Sequence, residues 1–373
     1  MKQAMLGHEI IDLEKLTKPE IMALKRRRTF FCIRCKKPVI FKNGTRKRAH
    51  FAHEKTRLSV GSSESAAHVL VKHLMINWLK RQQIRGDIEK RFPTINRIAD
   101  VYFEYKTVNY VLEIQKSPMS DAEFKQRTSD YERVDIKVLW IFLGMVEEKE
   151  GTFRLPSVML GREASRLFHF CVKTTQFQIF ERPVFVTART IYAKQLRGKL
   201  SEFSVEDLLE TSEKAAYFDQ SWLAVKKQFR RRNWFYVSKS EKRLREQCLI
   251  HGFNLSLLPT EIGWPVDGNG IKKQLFVWQA YVLLTVMKHV KVGGVFSLTD
   301  VWVHLQREYG IARTKENVRQ VQGYLKWLIM FGIVEAQATY FVYVKCPKMS
   351  VSMEVLLQRD KKFVETVEKL WQV

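Results

Sequence analysis

Residues 98–115 read IADVYFEYKTVNYVLEIQ, which is the most informative pattern in the chain. Apolar and polar side chains alternate in two runs, Ile98–Tyr105 and Val108–Gln115, which is typical of half-buried strands. A short reversal between the two runs predicts an antiparallel hairpin. In that register Asp100 lies opposite Glu113, and the face opposite to theirs is apolar throughout.

The two opposed carboxylates predict a metal site. Directly opposed residues have Cβ atoms about 4.5–5.5 Å apart, so Asp100 and Glu113 would repel one another unless a cation lies between them. Mg²⁺, or Mn²⁺, prefers such oxygen ligands and would lower the pKa of a bound water. The alternative is that both are solvated strand residues in a mispredicted register.

Helices are predicted on both sides of this hairpin. Apolar spacing favours one helix from about Ser63 to Arg81, which carries Glu64, His68 and Lys72 on one face, and Glu64 is a candidate third carboxylate. In the alternative interpretation, the helix dipole alone favours the Glu64 carboxylate in the first turn, and His68 is a packed histidine rather than a catalytic one. Downstream, residues 120–133 are helix-compatible and residues 137–143 read as a buried strand.

A basic N-terminal segment carries two cysteines and two histidines. Between Lys25 and Arg57 there are thirteen Lys or Arg and one acidic residue. The spacing of the four candidate ligands, with a turn between two short strands, predicts a closed tetrahedral zinc site; they are Cys32, Cys35, His50 and His53. The alternative is a pair of reduced cysteines with histidines that pack or contact phosphate.

Composition narrows the partners and the compartment. The 373 residues carry a formal net charge of +25, which favours polyanionic partners, nucleic acid first and anionic membrane second. Five scattered cysteines argue against a disulfide framework and for a reducing compartment. Because no uncharged apolar run is long enough for a signal peptide or a membrane span, we expect a cytoplasmic protein.

Seven ordered motifs within residues 32–141 resemble the competence protein CoiA-like family, which has a PD-(D/E)XK nuclease-type domain. The motifs are Cys32-x-x-Cys35, His50-Phe51-Ala52-His53, Ser63-Glu64 with His68 and Lys72, Arg97-Ile98-Ala99-Asp100, Glu113-Ile114-Gln115-Lys116-Ser117, Arg127-Thr128 with Tyr131, and Val138-Leu139-Trp140-Ile141. The resemblance implies a role in the uptake and recombination of transforming DNA.

It also implies site residues. Asp100 and Glu113 would be metal ligands and Glu64 the helix carboxylate. Gln115 replaces the usual lysine of the motif; glutamine can orient an attacking water but supplies no ammonium charge. The expected DNA contacts in this domain are Lys72, Arg97, Arg127 and Tyr131, and the last two would face the nucleic acid from one side of a helix.

The predicted fold is an α/β restriction-endonuclease-like (PD-(D/E)XK) core between two further parts. A zinc-finger-like module spans residues 1–60, the nuclease-like domain spans 61–146, and a charged loop leads to a mainly α region at 152–373. Within this last region, residues 275–346 show the helix–helix–hairpin order of a winged helix, although an ordinary helical bundle shows it too.

A basic and aromatic cluster in the C-terminal region is a further candidate DNA contact. Residues 222–245 contain nine Lys or Arg and a single acidic residue, and aromatic residues are interleaved among them. This composition suits single-stranded DNA, with Arg230, Arg231 and Arg232 as contacts; a solvated helix face over buried aromatics is the alternative.

Two functions are consistent with these features. The first is a metal-dependent deoxyribonuclease that processes DNA during uptake, transformation and recombination. The second is a non-catalytic DNA-binding accessory factor that assists a recombinase, or other competence proteins, on incoming single-stranded DNA. The replacement at Gln115 favours the second function, and the retained carboxylates favour the first.

Overall fold

A computed structural model of the chain describes residues 3–7, 9–24, 29–33, 38–43, 49–53, 66–160, 165–210, 220–232, 237–250, 252, 254–268 and 270–371. The chain divides into two compact units, Met1–Ser65 and Ala66–Val373. Glu64 and Cys35 lie outside the described residues, as does the side chain of His53.

The first unit is an antiparallel sheet with one short helix. The strands are arranged in the order β2-β1-β3-β4-β5, and Cys32 follows β3 directly in a small core with Phe30 and Phe51. The elements are β1 (Gln3–Leu6), β2 (Glu9–Asp12), α1 (Lys18–Ala23), β3 (Phe30–Phe31), β4 (Pro38–Lys42) and β5 (His50–His53).

A nine-stranded sheet forms the first half of the second unit. Its order is β10-β11-β14-β13-β12-β9-β8-β7-β6, with parallel pairs at β8–β9 and β9–β12 and antiparallel pairs elsewhere. The elements are α2 (Ala66–Arg81), β6 (Gly86–Phe92), β7 (Arg97–Tyr105), β8 (Val108–Gln115), α3 (Asp121–Glu132), β9 (Ile136–Leu143), β10 (Glu147–Lys149), β11 (Thr152–Arg154), β12 (Arg166–Cys171), β13 (Gln176–Phe185) and β14 (Thr190–Lys199).

The helices α2 and α3 cover opposite faces of this sheet. Alternate side chains of β9 separate the two cores: Ile141 packs with the α2 residues Val71 and Leu79, whereas Trp140 packs with Phe124 of α3. Helix α3 begins where the Ser120 hydroxyl accepts a hydrogen bond from the Glu123 amide at 3.1 Å. It carries the chain from β8 to the parallel neighbour β9.

The predicted boundary at residues 147–151 is wrong. Strands β10 and β11 form a hairpin there, and β11 pairs with β14 in the same sheet. The prediction of a mainly α region from residue 152 is therefore also wrong up to Lys199, where the last strand ends. The charged residues that suggested a boundary belong to an exposed edge strand and its turn, where charged side chains are solvated.

Helices predominate after β14. The elements are α4 (Val205–Leu209), α5 (Trp222–Arg231), α6 (Lys239–Ile250), α7 (Leu275–His289), β15 (Val295–Phe296), α8 (Leu298–Tyr309), α9 (Lys315–Met330), β16 (Val334–Ala336), β17 (Phe341–Tyr343) and α10 (Met353–Trp371). Elements α7 to β17 include a three-stranded sheet in the order β15-β17-β16. This is the helix–strand–helix–helix–hairpin order of a winged helix. None of the helices, within the part of the chain described, is long and apolar enough to cross a membrane.

Candidate functional site

The hairpin of β7 and β8 has the predicted register over most of its length. Tyr105 pairs with Val108, and the ladder continues regularly to Val101 and Leu112. The predicted inner face is buried, since Val101 and Leu112 are both 0% exposed. The hairpin therefore carries Asp100 and Glu113 to its open end, where β7 and β8 stop pairing.

Asp100 does not lie in a ladder pair with Glu113. Its Oδ2 accepts a hydrogen bond from the backbone amide of Ile114 at 2.8 Å. The Ile114 amide therefore donates to a side chain of β7 instead of to a backbone carbonyl. On the other side of β7, Glu89 has a positive φ of 55° and forms no ladder pair with Asp100. The regular pairing therefore stops at Val101 and Leu112, one pair short of Asp100 and Glu113, where the strands on both sides of β7 are irregular.

A histidine of α2 contacts the Asp100 carboxylate. His68 Nε2 lies 2.9 Å from Asp100 Oδ2, and the two side chains are 23% and 16% exposed. One helical turn further along, the buried Lys72 Nζ lies 2.7 Å from Glu89 Oε1. The hydrogen bond from Lys72 lowers the pKa of Glu89, and the nearby charge of Asp100 opposes this effect. Lys72 and Asp100 therefore belong to one electrostatic network.

Glu113 is held from the opposite face by α3. Its side chain is 1% exposed; the Tyr131 hydroxyl donates to Oε1 at 2.7 Å and the Arg127 guanidinium pairs with Oε2. Burial raises the pKa of Glu113 to about 7, with the Arg127 charge opposing the rise and the Asp100 charge adding to it. The Arg127 guanidinium also lies over the Trp140 ring, 5.1 Å from its centroid.

The prediction that Tyr131 faces nucleic acid is wrong. Tyr131 is 0% exposed, and burial raises the pKa of its hydroxyl, with the Glu113 charge adding to the rise. The i, i+4 spacing did place Arg127 and Tyr131 on one side of α3, but that side packs on the sheet. Arg127 is paired with Glu113 and keeps 22% of its side chain exposed.

Three further site predictions have specific outcomes. Lys72 is buried rather than available to DNA. Arg97 pairs with Asp130 of α3 at 2.6 Å. The Gln115 amide donates to the carbonyl of Ser117, just after β8 ends, at 2.5 Å. Sequence reasoning missed Glu89 and Asp130, and strand alternation offered no signal for either one.

The predicted arginine cluster divides between core and surface. Arg230 is 2% exposed and binds the fully buried Asp360 of α10, with Nε 2.8 Å from Oδ2. Lys226 Nζ lies 3.1 Å from the other oxygen of Asp360, and burial lowers the pKa of Lys226 to about 8. Arg232 pairs with Glu241, and Arg231 is exposed. The prediction of Arg230 as a DNA contact is wrong, because its charge lies in the core.

Three family models match consecutive parts of the chain. They describe the N-terminal, nuclease-like and C-terminal domains of competence protein CoiA, and they match residues 13–59, 64–213 and 218–357. A curated relative, competence protein CoiA of Bacillus subtilis (strain 168), is 26% identical over 367 residues, covering 92% of this chain and 97% of the relative. No solved structure matches the chain significantly. The chain belongs to the competence protein CoiA family.

Proposed function

We propose that the second unit contains a PD-(D/E)XK-type, metal-dependent deoxyribonuclease that processes DNA during transformation and recombination. The observation that carries this proposal is the pair of carboxylates at the open end of β7 and β8. Asp100 and Glu113 are near enough for the charge of one to raise the pKa of the other, and Glu113 is buried. Carboxylates whose pKa is raised by burial and by a neighbouring charge are typical of catalytic sites.

The donor set fits Mg²⁺ or Mn²⁺. Asp100 and Glu113 offer hard oxygen ligands, and the structure already places the cationic Arg127 guanidinium against Glu113. These two carboxylates would hold the ion, with Glu64 proposed as a third ligand. The ion would supply an activated water and neutralise charge on the scissile phosphate.

Other residues of the chain would orient the two carboxylates and supply positive charge to the site. The Ile114 amide donates a hydrogen bond to the Asp100 carboxylate, which His68 contacts, and the Tyr131 hydroxyl donates to that of Glu113. We propose that the Lys72 ammonium supplies the positive charge that Gln115 lacks, because Lys72 lies one turn from His68 on α2. Gln115 would orient water through its amide.

One observation favours the accessory function instead. In this structure each carboxylate oxygen of Glu113 accepts a hydrogen bond, one from Tyr131 and one from Arg127. Metal binding through Glu113 is easiest after a movement of Arg127, because each carboxylate oxygen already accepts one hydrogen bond. A DNA-binding factor that assists a recombinase needs no such movement.

A groove at α9 supports DNA, in single-stranded form, as the partner. Its volume is about 1240 Å³, and it lies between α9 and the bulge of β13. Arg319 and Lys326 line it from the exposed side of α9, and Arg182 lines it from β13. The acids Asp267 and Glu316 also line it, so the excess is one positive charge among the lining residues.

We also propose that zinc binds the N-terminal unit through Cys32, Cys35, His50 and His53. Cys32 follows β3 and His50 begins β5, and β4 lies between these two strands. The soft sulfur of Cys32 is buried beside the apolar core, as in structural zinc sites. Such an ion would stabilise a unit whose core is small.

The test of the nuclease is cleavage of end-labelled single-stranded and duplex DNA with Mg²⁺ or Mn²⁺. We expect cleavage by the wild type, and none by Asp100→Asn, Glu113→Gln or Lys72→Met. Glu104→Gln is the control, because Glu104 is an exposed acid of the same hairpin. DNA binding without cleavage, equal in all variants, would support the accessory factor.

A further inference from the structure

Two histidines and a glutamate converge where α7 meets α8, far along the chain from the nuclease carboxylates. His289 Nε2 lies 2.9 Å from Glu308 Oε1, and His304 Nδ1 lies 3.2 Å from the same oxygen. The imidazole rings stack with centroids 3.6 Å apart and planes at 14°. One carboxylate oxygen is therefore shared by two imidazole nitrogens.

The fold brings these side chains together from two helices. His304 and Glu308 are four residues apart on α8 and so lie on one face of that helix. His289 is the last residue of α7, which packs against α8. The side chains of His289, His304 and Glu308 are 29%, 27% and 20% exposed, so solutes reach them.

We propose that His289, His304 and Glu308 form a binding site for a borderline transition-metal ion, of which Zn²⁺ is the representative. One ligand atom from each residue lies within 4.8 Å of the other two, and no other group of three His, Cys, Asp or Glu does so in the described parts of the chain. Two imidazole nitrogens and one carboxylate oxygen suit Zn²⁺, Ni²⁺, Co²⁺ or Cu²⁺, whereas Mg²⁺ prefers oxygen alone. Three protein ligands leave a coordination position for water or an outside ligand.

An ion-pair network of protonated histidines is a poorer account of the cluster. Lys288 Nζ already lies 3.1 Å from Glu308 Oε2 and balances the charge of that carboxylate. Two imidazolium rings stacked with centroids 3.6 Å apart would repel one another. Asp300, one turn before His304, adds negative charge nearby.

Lys288 would act as a positioning residue. By holding Oε2 it leaves Oε1 directed at the two imidazoles, which is how outer-shell partners orient a ligating carboxylate. A bound ion would link the end of α7 to the second half of α8. Metal binding should therefore stabilise the winged-helix-like part against unfolding.

The test is metal binding by the full-length chain after treatment with a chelator. Zinc is counted by equilibrium dialysis and elemental analysis in the wild type, His289→Gln and His304→Gln. The control is His73→Gln, an exposed histidine on α2. We expect each of the first two variants to bind one equivalent of zinc less than the wild type, and the control to bind the same amount.

Cobalt separates this site from the proposed cysteine site. Co²⁺ bound by thiolate has a sulfur-to-metal charge-transfer band in the near ultraviolet, and a site of two imidazoles and a carboxylate has none. His289→Gln should lose the part of the visible cobalt absorption that comes from this site while retaining any near-ultraviolet band. His304→Cys should regain an equivalent of cobalt and add a new charge-transfer band. Equal zinc and equal cobalt spectra in the wild type, His289→Gln and His304→Gln would overturn the proposal.

Discussion

The raised pKa of Glu113 predicts that the stability of Glu113→Gln relative to the wild type increases as the pH rises. In the folded chain this carboxyl titrates at about 7, against 4.5 for its ordinary value. Between these two values the folded state keeps a proton that the unfolded state has lost. Stability contributed by this group is therefore present in acid and falls as the pH rises through 7.

The size of the effect follows from the pKa difference. Each pKa unit corresponds to about 1.4 kcal/mol, so the shift from 4.5 to about 7 amounts to about 3 kcal/mol in the free energy of unfolding. No large discount for solvent applies, because the side chain is 1% exposed. Glutamine keeps the shape and an oxygen acceptor for Tyr131 but never ionises.

The assay is urea denaturation of wild type and Glu113→Gln between pH 4.5 and pH 8.5, in the absence of divalent metal. We expect the variant's stability relative to the wild type to increase by about 3 kcal/mol from the acid end to the alkaline end. Glu104→Gln, which removes an exposed carboxylate of the same hairpin, should show no such trend. A difference between wild type and Glu113→Gln that is constant over this range would contradict a raised pKa of Glu113 in the folded chain.

Three other predictions concern parts of the chain outside the carboxylate pair. Asp360→Ala leaves Lys226 and Arg230 buried without their shared anion and should cost about 3–5 kcal/mol in thermal unfolding, whereas Arg231→Ala, at an exposed neighbour, should cost little. Arg319→Glu with Lys326→Glu should weaken single-stranded DNA binding and flatten its salt dependence, and unchanged binding would exclude the α9 groove as a DNA site; the exposed Lys362→Glu is the control. Cys32→Ser should remove one equivalent of zinc together with the near-ultraviolet cobalt band, and a wild-type protein without that band would contradict the N-terminal zinc site.

The sheet and helices around the hairpin could be predicted because their patterns are local. Alternation in residues 98–115 places Val101 and Phe103 on the face that packs with α2, and a one-residue slip would move them to the other face. The helix signals before and after the hairpin likewise correspond to α2 and α3. The edge strand β10, Glu147–Lys149, could not be predicted in this way, since it is short and charged.

The roles of basic residues depended on partners far away in the sequence. Arg230 has the same local surroundings as its exposed neighbour Arg231, yet it is buried because Asp360 lies against it from α10, 130 residues later. Arg97 is engaged in the same way by Asp130, 33 residues later. A run of positive charge therefore predicts a partner of opposite charge, but the run alone does not distinguish DNA from a carboxylate of the same chain.

The geometry at Asp100 follows from a choice between two hydrogen bonds. A regular ladder would give the Ile114 amide to a strand carbonyl, whereas the structure gives it to the Asp100 carboxylate. Both bonds satisfy the amide, and the bond to a charged acceptor is worth more, about 1.5–3 kcal/mol against about 1 kcal/mol. The regular ladder therefore ends at Val101 and Leu112, one pair before Asp100 and Glu113. The irregularity turns Asp100 toward His68 of α2 while Glu113 stays with Tyr131 of α3, so the two carboxylates are held from opposite faces of the sheet and remain close at its open end.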